Sequence, residues 1–267
     1  MKKPMIITAL MMFCLLFGLG TLPAQAIPTQ LTVRARANDA KFIGTAVGGL
    51  DVVIKNYDTG LVLANGKITG GTGDTKILMG EPFTRGKTIS TPGAAGYTAT
   101  LDIDQPIKLL VEMIGPMSAG NDIHKESKTV WLLPGQDITG DGLIFNLYGL
   151  IVAPYTPAPH EFHQVGDTIR VAAHITPMCG CPIRPGMLWE AADYTVKATV
   201  IKGGKKIVDL PLAFAGEIGD FAADFIADSP GEYQFVITAA DKRSNSGAAL
   251  RVAVVIPAEK YRQLTGK

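Results

Sequence analysis

The sequence SPGEYQFVITAA at residues 229–240 indicates the fold most directly. A Ser-Pro-Gly turn precedes a run whose apolar residues alternate with more polar ones: Tyr233, Phe235, Ile237 and Ala239. Because successive side chains of a strand point to opposite faces, these four residues would share one buried face. Tyr233 also stands where the tyrosine corner of a β-sandwich would fall. The stretch therefore predicts a half-buried strand of a sandwich.

Short runs of the same kind recur along the chain, separated by turn clusters, so the sequence predicts an all-β protein. The candidate strands are residues 31–35, 50–54, 97–101, 107–111, 130–133, 143–147, 168–175, 194–201, 207–212, 221–226, 232–240 and 248–256. The longest separator, residues 66–96, is rich in glycine and proline and should form a long excursion at one end of a sheet. A helix could form only at residues 190–192 or after Pro257.

The strand pattern is interrupted once by a proline-rich segment, at residues 155–159. A second strand series begins immediately after it, as expected at a boundary between domains. We therefore predict two tandem antiparallel β-sandwich domains, at residues 27–150 and 158–257, followed by a basic tail at residues 258–267.

Residues 1–26 have the layout of a cleaved signal peptide. Lys2 and Lys3 precede a nearly uninterrupted apolar run, and Ala24 and Ala26 occupy the small-residue positions before a cleavage site. Removing this segment leaves 23 basic residues against 24 acidic ones. A chain with so small a net charge has no positive electrostatic field that would attract nucleic acid. We expect an exported protein, periplasmic or extracellular, with no membrane span and with other envelope or extracellular proteins as partners.

Two sets of short patterns resemble known β-sandwich families. GDTIRV at residues 166–171, PGEY at 230–233 and TAAD at 238–241 are similar to bacterial immunoglobulin-like domains of exported proteins. LDVVI at residues 50–54, with the turns that follow it, resembles the opening of the transthyretin-like sandwich of carboxypeptidase regulatory domains. These resemblances imply an immunoglobulin-like fold and modules that bind, space or support other parts, without naming a ligand.

One segment stands out chemically, the sequence HITPMCGCP at residues 174–182. It contains Cys179 and Cys181, the two cysteines outside the predicted signal peptide, together with Met178 and His174. The segment follows directly from the candidate strand at residues 168–175, whose odd-numbered apolar residues would face the core. Strand parity then sends His174 to the other face, towards solvent or a neighbouring loop.

Two interpretations of the cysteine pair are open. In an oxidising compartment, Cys179 and Cys181 would form a disulfide that shapes the loop. Loop entropy for so small a ring gives only about 1.6 kcal/mol of stabilisation, so the bond would be a weak staple and open to thiol exchange. Alternatively, the two thiolates would bind a soft metal with Met178 or His174 completing the shell, and such ligands select Cu(I).

Two further histidines extend the candidate metal site. His160 and His163 precede the same strand, and the fold of a sandwich can bring their loop near residues 176–189. A Cys2His2 set would instead suit zinc, but copper is the cofactor that we expect, if any.

Weaker signals lie elsewhere. The sequence DITGDGLI at residues 137–144 has Asp137, Thr139 and Asp141 in the spacing of a calcium loop, but Tyr148 stands where the bidentate acid belongs. The alternative is an ordinary acidic turn between two strands. We expect Trp131 and Trp189 to be packing residues.

No nucleophile elbow, carboxylate pair or HExxH motif occurs in the sequence. The leading hypothesis is an exported non-enzymatic protein whose second domain presents the residue 174–189 loop to copper or to a redox partner. The alternative is a structural or adhesion module of the cell envelope with a loop-shaping disulfide. A thiol–disulfide exchange enzyme is the third hypothesis.

Overall fold

A computed structural model describes residues 25–159 and 161–266. Apart from its last two residues, the predicted signal peptide lies outside these ranges. Within them, no helix combines the length and hydropathy that a membrane crossing requires.

The described chain is built almost entirely from strands, which confirms the all-β prediction. In chain order the strands are β1 Ile27–Ala37, β2 Leu50–Asn56, β3 Val62–Ile68, β4 Tyr97–Ile103, β5 Ile107–Gly115, β6 His124–Leu132, β7 Ile138–Leu147, β8 Leu150–Thr156, β9 Phe162–Gln164, β10 Thr168–Pro177, β11 Tyr194–Lys202, β12 Lys205–Pro211, β13 Ala213–Phe214, β14 Asp220–Ile226, β15 Gly231–Asp241 and β16 Ser246–Ile256. The helical segments are 3-10 turns at Thr45–Val47, Gly120–Asp122 and Ala191–Asp193, a π-helical turn at Lys76–Gly80 and helix α1 at Ala258–Thr265.

The first seven strands form one sandwich of two sheets. A three-stranded sheet has the order β4-β1-β7, and a four-stranded sheet has the order β3-β2-β5-β6. All pairs are antiparallel except β1 with β7. The excursion after β3 returns to the sheet through a bridge between Thr69 and Gly96. The Arg34 side chain fixes the end of this excursion, because its guanidinium donates to the carbonyl oxygens of Ala94 and Ala95 at 2.7 Å each.

The remaining nine strands form the second sandwich, with sheets ordered β13-β14-β10-β8 and β12-β11-β15-β16-β9. Strand β8, in the segment at which the sequence analysis places the boundary, pairs with β10 and so belongs to this sandwich. Tyr233, Phe235, Ile237 and Ala239 are all buried on one face of β15, as predicted. The Tyr233 hydroxyl lies 2.9 Å from the carbonyl oxygen of Ser229, the contact that defines a tyrosine corner.

The buried apolar residues form one continuous cluster that runs through both sandwiches. The two sandwiches therefore pack against each other end to end, with the cysteine loop at their junction.

Candidate functional site at the junction of the two sandwiches

The cysteine loop begins where strand β10 ends. Ile169, Val171, Ala173 and Ile175 are fully buried, which confirms the predicted parity of this strand. His174 points to the opposite face, where its Nδ1 lies 2.9 Å from Oδ1 of Asp220 on the neighbouring strand β14. Its side chain remains almost half exposed. The predicted direction of the His174 side chain is therefore confirmed: it points away from the core.

The sulfur-bearing side chains of the loop are buried, in contrast to the exposed loop expected from the sequence. Cys179 is 1% exposed, Cys181 is 3% exposed and Met178 is inaccessible. The two cysteine sulfurs make a disulfide-like contact, with the Cα atoms 5.5 Å apart. Gly180 between them has a φ of +75°, a left-handed conformation that favours glycine. The loop is thus a packed turn, and its chemistry is covered.

The first sandwich provides much of that cover. A Cβ atom on Gly180 would lie 2.9 Å from Cγ1 of Val47, which belongs to the 3-10 turn after β1. A Cβ on Gly149 would collide with the Met178 methyl group and lie 3.0 Å from Nε2 of His124. Glycine at these two positions therefore permits a close approach of the two sandwiches around the loop.

Trp189 closes the other side of the loop. It is 7% exposed, and its indole N–H donates to the carbonyl oxygen of Asp39 in the first sandwich at 3.3 Å. Arg243 reaches the same segment, with Nε 3.0 Å from Oδ2 of Asp39. Burial raises the pKa of the Asp39 carboxyl, and the positive charge of Arg243 only partly offsets this effect. The prediction that Trp189 is a packing residue is confirmed.

A buried amide forms the polar centre of the junction. Asn245, 3% exposed, accepts a hydrogen bond from the backbone N–H of Gly149 at 3.2 Å. Its Nδ2 donates to Oδ2 of Asp241 at 2.7 Å and to the carbonyl oxygen of Asn38 at 3.3 Å. Since a buried polar group is costly when unpaired, this network makes one relative placement of the segments preferable to others.

Asp122 joins the first sandwich to two strands of the second through its carboxylate. Its Oδ2 accepts from the backbone N–H of Val152 on β8 at 2.8 Å, and its Oδ1 accepts from that of Ala248 on β16 at 3.3 Å. Burial raises the pKa of Asp122, more than those two hydrogen bonds and the nearby His124 lower it. Sequence reasoning missed this residue because its partners are backbone N–H groups of β8 and β16, which no local pattern around Asp122 indicates.

The predicted metal ligands are not gathered in one place. His163 lies on β9, paired with β16, where its Nε2 is buried without a hydrogen-bond partner. His160 lies outside the described residues. In residues 25–159 and 161–266, no group of three or more His, Cys, Asp and Glu side chains is arranged to hold a metal ion. Copper binding by Cys179, Cys181, Met178 and the histidines stays a prediction, and it would require the cysteine pair to be reduced and uncovered.

The predicted calcium residues bind backbone groups instead. Asp137 accepts from the N–H of Gln30 at 2.8 Å, and Asp141 accepts from the N–H of Ser90 at 2.7 Å. Burial raises the pKa of Asp141, but the backbone hydrogen bonds and the charge of Arg34 outweigh it, so the pKa is lowered overall. The segment is an irregularity within the pairing of β7 with β1, not a turn between two strands. Calcium binding stays a prediction, and the observed role of these carboxylates is to fasten neighbouring segments.

The prediction that Trp131 is a packing residue is wrong. Its side chain is 58% exposed on β6, at the edge of a groove in the first sandwich. Its neighbours Leu132 and Val130 supplied the apolar pattern that suggested burial, but they face the core while Trp131 faces outward.

Comparisons with known proteins give only weak likenesses. No model of a protein family matches the sequence, and no curated protein matches it. Among solved structures, an engineered protein is similar at 17% identity over 47% of this chain, with a TM-score of 0.31, and this chain spans about a quarter (24%) of it. The fibronectin(III)-like modules of Clostridium thermocellum CbhA match at 9% identity over 89% of this chain and 92% of theirs, with a TM-score of 0.28. The complex of Dpr11 IG1 with DIP-gamma matches at 10% identity over 85% and 98%, with a TM-score of 0.24.

Proposed function

We propose that this chain is an exported, non-enzymatic binding module of the cell envelope in which a disulfide between Cys179 and Cys181 shapes a docking loop. The loop holds two immunoglobulin-like sandwiches in one orientation. The assignment of the second domain to bacterial immunoglobulin-like domains, and of the first to transthyretin-like domains, is part of this proposal. Export is supported by the pattern of residues 1–26, and the expected partners are other envelope or extracellular proteins.

The observation that carries the proposal is the burial of the loop. A site that presents thiolates to a metal or to a redox partner needs accessible sulfur, because exchange and ligand transfer both require attack at the sulfur atom. Here Cys179, Cys181 and Met178 are at most 3% exposed, and Gly180 between the cysteines lies against Val47 of the first sandwich. The arrangement therefore favours the structural interpretation of the cysteine pair over copper delivery or thiol exchange.

The chain offers a matched pair of variants for testing this role. Gly180 and Gly186 lie in the same loop with φ values of +75° and +74°, so a leucine strains the backbone equally at either position. A Cβ on Gly180 would meet Val47 of the first sandwich at 2.9 Å, whereas a Cβ on Gly186 would meet nothing within 4 Å. Only Gly180→Leu should loosen the junction.

The measurement is the relative orientation of the sandwiches, from residual dipolar couplings fitted separately to each one. The wild type and Gly186→Leu should share one alignment tensor across both sandwiches, and Gly180→Leu should require two. A single tensor for all three proteins, or two tensors for the wild type, would overturn the docking role of the loop. Near-ultraviolet circular dichroism confirms that each variant remains folded.

A further inference from the structure

A groove with a different chemistry lies at the opposite end of the first sandwich. Strands β2, β5 and β6 each have one end at the junction and the other end at this groove, because Asn56, Ile107 and Trp131 line it. A strand of about seven residues spans roughly 20 Å, so the groove is well separated from the cysteine loop. It has a volume of about 620 Å³, within the ~300 to 1,000 Å³ range of small-molecule sites.

A row of two aromatic residues and a lysine lies at the groove: Trp131 and Lys108 line it, and Tyr57 contacts Lys108. Lys108 on β5 pairs with Trp131 on β6, and its carbonyl oxygen accepts from the backbone N–H of Tyr57 at 2.9 Å. The Lys108 ammonium lies 4.0 Å from the centre of the Tyr57 ring, which fixes both side chains. Trp131 is 58% exposed and makes no ring contact within the described residues, so its indole is accessible to a ligand.

Polar side chains complete the groove. Asp58, Asp102, Asp104 and Gln105 line it, and none of their side chains makes a hydrogen bond or an ion pair within the described parts of the chain. Three carboxylates facing one ammonium make the groove acidic, which disfavours nucleic acids and other polyanions. It therefore offers several free acceptors, an amide and an ammonium donor beside an open aromatic face.

We propose that this groove binds a neutral oligosaccharide. A sugar ring has an apolar face of C–H groups, which stacks on an indole, and an edge of hydroxyl groups, which donate to carboxylates and accept from amide and ammonium groups. Hydroxyl donors match the excess of acceptors here, and the apolar face matches Trp131. A cationic peptide would also be attracted by the carboxylates, but the Lys108 ammonium between Tyr57 and Trp131 repels a positive charge at the aromatic row.

The test is native electrophoresis of the full chain in gels that contain hydroxyethylcellulose, galactomannan or arabinoxylan. We expect at least one polysaccharide to retard the wild type, and Trp131→Ala to lower the association constant at least tenfold. The matched control is Phe83→Ala, since Phe83 is 80% exposed but lies outside this groove. It should be retarded like the wild type.

Three outcomes would overturn the proposal. These are retardation by none of the polysaccharides, equal retardation of Trp131→Ala and wild type, and binding of hexalysine that depends on Trp131. The proposal goes beyond the docking role of the cysteine loop and uses a separate surface. The Cys179→Ser, Cys181→Ser variant should therefore bind the polysaccharide as the wild type does, so that failure of one proposal leaves the other standing.

Discussion

The cysteine loop and the Trp131 groove differ in the opposite way from what their residue types suggest. The loop holds every reactive sulfur of the described chain together with Met178, yet all three of these side chains are buried. The groove is formed by residues that look ordinary in the sequence, yet it presents an open indole beside unpaired carboxylates. Reactive residue types thus indicate where chemistry is conceivable, while accessibility decides where a ligand can bind.

The two tryptophans give the largest expected contrast. Trp189→Ala should lower the free energy of unfolding by about 3 to 5 kcal/mol, because it removes a buried indole and leaves a cavity. Trp131→Ala should change it by no more than about 0.5 kcal/mol, because that side chain is mostly exposed. Urea unfolding followed by far-ultraviolet circular dichroism measures both values. A similar loss in the two variants would contradict the division between packing and ligand binding.

Asp122 tests the polar part of the junction. Asp122→Ala should destabilise the protein by about 1 to 3 kcal/mol, since the backbone N–H groups of Val152 and Ala248 lose a charged acceptor. Asp104→Ala, in the groove, is the matched control and should have little effect, because Asp104 has no partner to lose. Thermal unfolding of both variants checks this expectation, which fails if the two midpoints coincide.

The cysteine pair should contribute less than Trp189. Loop entropy for a three-residue ring predicts that Cys179→Ser, Cys181→Ser costs about 1.6 kcal/mol. Thiol counting on the native protein should find no free thiol.

The copper prediction is tested by anaerobic Cu(I) titration of the reduced protein, followed by native mass spectrometry. One tightly held ion that is lost in the double serine variant would support the metal site and contradict the structural role of the buried loop.

The smallest expected effects concern the titration of two carboxyl groups, that of Asp122 in the buried junction and that of Asp209 on the exposed surface. Hydrogen bonds from Lys206 and Thr199 lower the pKa of Asp209 to about 2, so its contribution to stability is present above the unfolded-state pKa and lost as the pH falls through about 2. Burial raises the pKa of Asp122, so its contribution has the opposite sign: stability falls as the pH rises through the folded-state pKa. NMR titration of the two side-chain carboxyls should give midpoints on opposite sides of the ordinary aspartate value.

The alternation of apolar and polar residues predicted the strands that have one buried face. It failed for strands that are mostly exposed and for strands next to prolines. Strand β3 was missed because most of its residues are partly exposed and its Asn-Gly pair resembles a turn. Strand β8 was missed because it runs into the proline-rich segment at residues 155–159, which suggested a domain boundary, although the strand pairs with β10. Helical segments occur at both expected places, as Ala191–Asp193 and Ala258–Thr265. The expectation that they occur only there was wrong, because short helical turns also lie at Thr45–Val47, Lys76–Gly80 and Gly120–Asp122.

The sequence by itself determined the all-β class, the buried faces of β10 and β15 and the direction of His174, because a period of two residues is a local property of the backbone. Tertiary structure alone decided that the cysteine loop is covered, that Asp122 bridges the sandwiches and that Trp131 is open. Those outcomes depend on which distant surfaces meet, and contacts between residues that are 30 or 126 positions apart, like those of Asp122, leave no local pattern. The glycines at positions 149 and 180 allow that meeting, since a larger side chain at either would separate the two sandwiches.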